Sequence, residues 1–362
     1  LQHRGQEAGG IVSYHPDHDF NSVRRFGYVR DNFTKQSLME TLPGSLSIGH
    51  VRYSTAGSKA AAIRDVQPFF GEFSMGGAAI AHNGNITNAD ALRRELIERG
   101  SIFQSSSDSE CIIHLMARSL QRNIPERMED ALRRVEGAFS IVAMTRTKLI
   151  GVRDPLGVRP LVLGQIGEGW VLSSETCALD IIGATYVREI EPGEMVVITG
   201  EKVESSFPFR RQKPRFCIFE HVYFSRPDSI IGGRSVYETR RQIGVELARE
   251  APVEADLVCP VPDSGTPAAI GFSQESGIPY AMGIIRNQYM GRTFIEPTES
   301  IRNMGVRLKL NVNRALIQGK RVILVDDSVV RGTTSRKIKE MILDAISSEV
   351  AGCYSAQPRL SA

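Results

Sequence analysis

The residues with the plainest chemical potential lie late in the chain, where Val322-Ile323-Leu324-Val325 runs into Asp326-Asp327-Ser328 and then Val329-Val330-Arg331-Gly332-Thr333-Thr334-Ser335. Four apolar residues read as a buried strand. Two adjacent carboxylates at its end can hold sugar hydroxyls and, directly or through water, a Mg²⁺ ion. A glycine and three hydroxyl residues then open a helix, whose unpaired N–H groups and side-chain hydroxyls make a cradle for a phosphate monoester. An isolated acid pair could equally be a strand-to-helix turn with Asp as its cap; strand, acid pair and Gly-Thr-Thr together select the phosphate reading. Upstream, Arg307 and Lys309 stand in a stretch of alternating charged and apolar residues. They either lie on a solvated surface strand or reach a pyrophosphate from a mobile loop, where cations would stabilise the leaving group.

A second set of residues could handle an amide. Gln2-His3-Arg4-Gly5-Gln6, Gly49-His50-Val51-Arg52-Tyr53-Ser54-Thr55-Ala56-Gly57, Ala81-His82-Asn83-Gly84-Asn85 and Ser107-Asp108-Ser109-Glu110 are well separated in the chain. Each alone has a plain structural reading: a turn for His-Asn-Gly-Asn, a helix-start carboxylate for Asp108, a surface cation for Arg52. Taken together, the four clusters are far more specific than any one of them alone.

Two kinds of element must position these groups. In the first half, Asn88 can cap a helix over 89–99 that Gly100 ends, and Ser107 with Glu110 forms a capping-box pattern before the apolar face Ile112, Ile113, Leu115 and Met116. Pro125 marks the first turn of a third helix. Short β-type runs over 139–144, 149–152, 161–163, 170–173 and 194–198 then predict an antiparallel sheet. Beyond the polar connector around 210–215 the pattern changes to strand–loop–helix. The run 257–261 leads through Pro262-Asp263-Ser264-Gly265 into a helix opened by Thr266 and Pro267, and the run 321–325 leads through the acid pair into another. That pattern predicts a parallel sheet with ligand loops at its strand C-termini.

The whole chain allows this division. It has 362 residues, 41% hydrophobic and 23% charged, which suits two soluble domains, and no apolar run is long enough to span a membrane. With 44 Lys+Arg against 41 Asp+Glu the net charge is +3, which gives no reason to expect nucleic acid or a membrane as partner. Cys111, Cys177, Cys217, Cys259 and Cys353 are scattered, as suits a reducing, cytoplasmic compartment. The first residue, Leu1, already stands inside a dense motif, so the chain reads as a fragment.

The segment around Asp326 resembles the phosphoribosyl diphosphate (PRPP) signature of the type I phosphoribosyltransferases. The four early clusters resemble the N-terminal-nucleophile glutaminase domain of class II amidotransferases. Arg153-Asp154-Pro155-Leu156-Gly157-Val158-Arg159-Pro160, Ser174-Glu175-Thr176 and Tyr223-Phe224-Ser225-Arg226-Pro227-Asp228-Ser229 extend the likeness, and together they are similar to the glutamine PRPP amidotransferase family. The resemblance implies an α+β glutaminase domain, an αββα sandwich, over 1–212, and an α/β phosphoribosyltransferase domain with a parallel sheet over 213–362. It implies the first committed step of purine synthesis: PRPP, glutamine and water give 5-phosphoribosylamine, glutamate and diphosphate. Asn83 and Gly84 would form the oxyanion hole. Arg4, Gly5, Arg52 and Asp108 would bind glutamine. Asp326, Asp327, Ser328, Arg331, Gly332, Thr333, Thr334 and Ser335, with Arg307 and Lys309, would bind PRPP, and Asp326 and Asp327 would hold Mg²⁺. The loop 262–265 falls where the family's pyrophosphate-binding loop is expected. Cys217 stands where the first ligand of a [4Fe-4S] cluster, found in some members, would be. Purine nucleotides as feedback inhibitors and a homotetramer are further family expectations. The family's nucleophile is an N-terminal Cys ahead of the first cluster, and none of the five cysteines matches it. The tail after Asp344 matches nothing in the family pattern. The rival readings are a truncated form with ammonia-dependent or no activity, and a non-catalytic PRPP-binding regulator.

Overall fold

Strand Gly76–Ile86 shows how the first half folds. Along it Ala78 and Ile80 enter one buried cluster while Ala79 and Ala81 enter another, so both faces are covered there and residues 78–81 are apolar without alternation. The structure is a computed structural model that describes residues 1–53, 62–287, 310–328, 333–344 and 353–355; for 333–335 and 353–355 it describes the backbone only. By contacts the chain forms two units, one of residues 1–218 with 230–232, the other of 219–229 with 233–362.

The first unit begins with β1 (Ala8–His15), β2 (Asp19–Phe26) and β3 (Leu46–Arg52), an antiparallel sheet in the order β2-β1-β3. The short helices α1 (Val29–Asn32) and α2 (Gln36–Met39) accompany it, Val29 and Leu38 packing on Val23, Phe33 and Leu42. A six-stranded sheet holds β4 (Phe69–Phe73) and β5 (Gly76–Ile86). It continues through β6 (Gly137–Met144), β7 (Leu149–Arg153), β11 (Met195–Thr199) and β12 (Lys202–Ser206) in the order β12-β11-β7-β6-β5-β4. A third antiparallel sheet, β10-β8-β9, comprises β8 (Val162–Ile166), β9 (Gly169–Ser173) and β10 (Thr185–Glu189). The core between sheets contains Val12, Ile48, Ala79, Ala81, Leu163 and Val196. On the other face of the large sheet, α3 (Ala89–Glu98), α4 (Glu110–Arg118) and α5 (Ile124–Leu132) bury Leu92, Leu96, Ile112, Met116 and Met128 against Ile80 and Ile141. Helix α6 (Thr176–Ile182) covers the third sheet through Leu179. Helix, sheet, sheet, helix is the αββα arrangement expected from the resemblance, with small outer helices on one side.

Two capping expectations fail locally. Asn88 precedes α3, but its side chain donates to Arg134 O and accepts from Glu136 N instead of capping the helix. Glu110 does not close a box with Ser107; its carboxylate turns back to accept from Gln104 N, Ser105 N and Ser105 Oγ. In both cases a loop with unpaired donors or acceptors lies within reach, and satisfying it outweighs a solvent-exposed cap. Asn123, by contrast, caps α5 through Glu126 N, with Pro125 in the first turn.

In the second unit, strand Val322–Asp326 lies between strands Leu257–Pro260 and Cys353–Ser355, parallel to both. Its residues alternate between two cores. Ile323 and Val325 meet α7 (Val236–Glu250) and α8 (Thr266–Ser276) through Ala248 and Phe272, while Val322 and Leu324 meet Ile338 and Ile342 of helix Thr333–Leu343. Helices on both faces explain why the strand is apolar without alternation.

Candidate functional site

The amide-handling residues converge on one edge of β5. Strand β4 pairs with β5 from Phe73↔Gly76 to Phe69↔Ile80 and goes no further. Two residues further along the register Gln67 falls opposite His82, but its main chain does not pair. The Gln67 carbonyl is turned to β1, so close to Gly10 that a Cβ there would lie 2.2 Å away. The Gln67 side chain takes over: Oε1 accepts His82 N (2.7 Å) and Nε2 donates to His82 O (3.3 Å). Backbone groups of a strand point to alternate neighbours, so the N–H of Gly84 and of Ile86 face the same edge as those of His82. Ile86 N donates to Asp108 Oδ2 at 2.9 Å. Gly84 N, between them, meets no acceptor among the described residues. The Asn83 carboxamide beside it is half-buried and likewise unbonded among them. Gly84 itself is fixed by crowding, since a Cβ would stand 2.0 Å from Ala138 O and 2.5 Å from His82 Nε2.

Asp108 is held at its other oxygen by Ser109 Oγ at 3.1 Å. That hydroxyl also lies 2.8 Å from His82 Nδ1 and accepts from Gln67 Nε2 at 3.2 Å. His82 is buried, and burial lowers its pKa, so at neutral pH it is an uncharged link in the network. His50 on β3 is pushed down to about 4, first by burial and then by His82.

Arg52 ends β3 with its guanidinium near two acids, Glu7 at 3.5 Å and Asp65 at 3.8 Å. Asp65 is buried in the turn Ile63–Asp65, and its Oδ1 accepts Ser106 N at 2.7 Å. Burial works to raise its pKa, but the Ser106 and Ala62 amides and Arg52 bring it below the usual value. One carboxylate thus ties Arg52 to the segment that presents Asp108. Gly5 lies against β3, and a Cβ there would meet Arg52 C at 2.5 Å. Arg4 is engaged elsewhere: its Nη1 donates to Glu175 Oε1 at 2.5 Å, and His3 Nε2 reaches the same oxygen at 2.6 Å. Glu175 is fully buried, and these two contacts hold its carboxyl well below the usual range against the opposing effect of burial.

Gln67, Ser109, Asp65 and Glu175 were not candidates from sequence. A lone Gln or Asp between motifs carries no spacing signal; Ser109 and Glu175 stand inside motifs, Ser107-Asp108-Ser109-Glu110 and Ser174-Glu175-Thr176, without a role of their own there. The Arg153-Asp154 motif has a structural role: Asp154 accepts Phe139 N, Leu156 N and Val158 N, while Arg153 donates to the carbonyls of Gly157, Arg159 and Ile190.

Cys111 and Cys259 are buried, and burial pushes both thiols up to about 11, the opposite of an activated thiolate. Cys217, half-buried, donates its backbone N–H to Val158 O. A [4Fe-4S] cluster needs several thiolates. Among the described residues no three His, Cys, Asp or Glu side chains gather as a metal site, so Cys217 has no companions there.

In the second unit, Asp326 and Asp327 stand at the C-terminal end of the central strand. Asp326 Oδ1 accepts Asp327 N (2.9 Å), and Ser328 Oγ donates to Asp327 Oδ1 (2.8 Å). Burial, and then the charge of Asp327, push the Asp326 carboxyl up to about 6. Loop 262–265 arrives at the same strand ends: a Cβ on Gly265 would stand 2.3 Å from Val325 O and 3.1 Å from Asp326 Cα. Arg286 pairs with Asp263 in that loop. Helix Thr333–Leu343 begins where the hydroxyl run predicts a phosphate cradle. Arg331, Gly332, Arg307 and Lys309 lie outside the described residues, as do 54–57 of the second cluster and the side chains of Thr333, Thr334 and Ser335. Two adjacent carboxylates, one holding its proton more tightly than usual because it is buried and a second charge is near, form a hard-oxygen donor set that fits Mg²⁺.

No helix of the described residues is long and apolar enough to cross a membrane. Residues 50–180 match the glutamine amidotransferase domain model. The chain is 55% identical to an amidophosphoribosyltransferase of Rhizobium etli, an alignment covering 97% of this chain and 71% of that protein. It is 45% identical to the Bacillus subtilis amidophosphoribosyltransferase, over 99% and 75%. Among solved structures, the glutamine PRPP amidotransferase of B. subtilis complexed with ADP and GMP has a TM-score of 0.91 at 43% identity, covering 99% of this chain and 77% of that one. A structure described as the allosteric regulatory enzyme of purine biosynthesis has a TM-score of 0.92 at 44% identity, over 100% and 77%.

Proposed function

The chain belongs to the amidophosphoribosyltransferase family, and on that premise we propose that its two units divide one reaction. Glutamine gives up its amide nitrogen at the β5 edge of the first, and PRPP accepts it at the acid pair of the second. The overall change is PRPP + glutamine + H₂O → 5-phosphoribosylamine + glutamate + diphosphate, the first committed step of purine nucleotide synthesis.

The observation that carries the glutamine half is the open N–H of Gly84, flanked by the Asn83 carboxamide and by Asp108. Amide hydrolysis develops charge on the carbonyl oxygen. Donors already aimed at that position stabilise the transition state more than the ground state. Asp108, two backbone positions along the same edge, suits the substrate's α-ammonium, and Arg52 suits its α-carboxylate through a bidentate contact. On binding, that carboxylate takes the place now held by the looser contacts to Glu7 and Asp65. Arg4 then acts on the pocket wall, with its charge neutralised by Glu175.

In the second unit Asp326 and Asp327 orient the ribose hydroxyls and provide the oxygens for Mg²⁺. When bound, Mg²⁺ supplies charge neutralisation for the diphosphate leaving group. The start of helix 333–343 binds the 5′-phosphate, and Arg307 and Lys309 complete the diphosphate contacts. Purine nucleotides as inhibitors, homotetramer assembly and a reducing cytoplasmic setting complete the proposal.

Asp326→Asn tests the second half. We expect it to remove most PRPP-dependent synthesis with either glutamine or ammonium as nitrogen source. Unchanged synthesis from ammonium would mean that PRPP is bound elsewhere. The regulator reading has no use for a glutamine edge, and the edge disfavours it.

A further inference from the structure

We propose that Gln67 is a positioning residue for amide hydrolysis, one side chain that keeps the oxyanion donor of Gly84 open and sets the orientation of Asp108. The inference rests on the glutamine site described above and adds a residue to it.

Gln67 is buried, and all its polar contacts serve this edge. It occupies the register position opposite His82, where the β4 main chain would otherwise continue pairing. Had it done so, the next pairing position would be Gly84, and its N–H would be spent in the ladder. Instead the main chain turns to Gly10 and the side-chain amide stands in for one rung, satisfying His82 N and O. The substitution ends the sheet one rung short of Gly84 without leaving the buried His82 N–H and C=O unpaired, and an orphaned buried donor or acceptor is costly. The same Nε2 donates to Ser109 Oγ, the hydroxyl that contacts Asp108 Oδ1. Donor and ammonium partner are therefore referenced to one rigid amide, and misplacement on the order of 1 Å can cost about a hundredfold in rate.

The test uses the full-length enzyme and separates KM from kcat. Gln67→Met keeps the volume and removes both hydrogen-bonding functions. It should lower kcat for glutamine hydrolysis by between about 10- and 100-fold, with ammonium-dependent synthesis retained. Ser109→Ala removes the hydroxyl that joins Gln67, His82 and Asp108 while leaving both Gln67–His82 bonds in place, and should raise the glutamine KM with a smaller effect on kcat. Gln67→Glu keeps the acceptor for His82 N and should fall between wild type and Gln67→Met. Equal loss of glutamine- and ammonium-dependent synthesis in Gln67→Met would overturn the inference, because the residue would then serve only stability. So would wild-type kcat and KM in that variant. Asp108→Ala is run alongside: an unchanged glutamine KM there would sink the site reading itself, whereas a raised KM with a silent Gln67→Met sinks only the role of Gln67.

Discussion

Gly84 and Asp326 owe their chemistry to what presses on them. At Gly84 a methyl group would stand 2.0 Å from Ala138 O, so Gly84→Ala must push β5 from β6. We expect a loss of about 1–3 kcal/mol in stability, as for other overpacked sites, together with slowed glutamine hydrolysis, checked by chemical denaturation and a glutamate-release assay. At Asp326 the carboxyl titrates near 6 because it is buried beside Asp327. Mg²⁺ bound at this carboxylate, as proposed, would compete with the proton for one site. Mg²⁺ binding should weaken as pH falls through 6, by up to about tenfold per pH unit if one proton is displaced. Titration calorimetry at several pH values, with buffers of different ionisation enthalpy, would show the proton release. Affinity unchanged between pH 7.5 and 5 would place the ion away from Asp326.

At the scale of elements, the N-terminal 3-10 turn Gln2–Arg4 is fastened to the start of α6 by Glu175, which receives both His3 and Arg4. Because the folded-state pKa of Glu175 is depressed, its contribution to stability is fully present above the unfolded value of about 4.3. It is lost as pH falls toward the folded value. Glu175→Gln should flatten that acid limb of the stability curve and cost about 3–5 kcal/mol, the usual penalty for breaking a buried pair; urea melts between pH 3 and 7 would measure both. The elements themselves were largely legible. Runs such as 139–144 and 149–152 show apolar character bounded by turn residues, and they fold as β6 and β7. What failed were local choices among several partners. Glu110 fits a capping box by spacing, yet it reaches Gln104 and Ser105, which are close only after the chain has folded back. The Arg4 and Arg52 side chains look free in the sequence and are paired in the structure.

For the molecule as a whole, each unit has its own core, Ile80 and Ile141 with the helices of the first, Ile323 and Leu324 with those of the second. A ligand of one unit should therefore stabilise mainly that unit. Differential scanning calorimetry should resolve two components, with PRPP and Mg²⁺ raising one and glutamate the other. A single component moved equally by both ligands would contradict independent cores.

Sequence alone determined the division into an antiparallel α+β part and a parallel α/β part, because side-chain periodicity reports which faces are buried before any partner is known. It also placed Asn83, Gly84, Asp108 and Asp326 as candidates, because their chemistry lies in short contiguous motifs. Only the tertiary structure decided that β4 stops at Phe69, that Gln67 fills the next rung and that Asp65 joins Arg52 to the Asp108 segment. Those contacts join residues tens of positions apart, and the backbone donor of Gly84 is a property of strand pairing, which no side-chain pattern encodes.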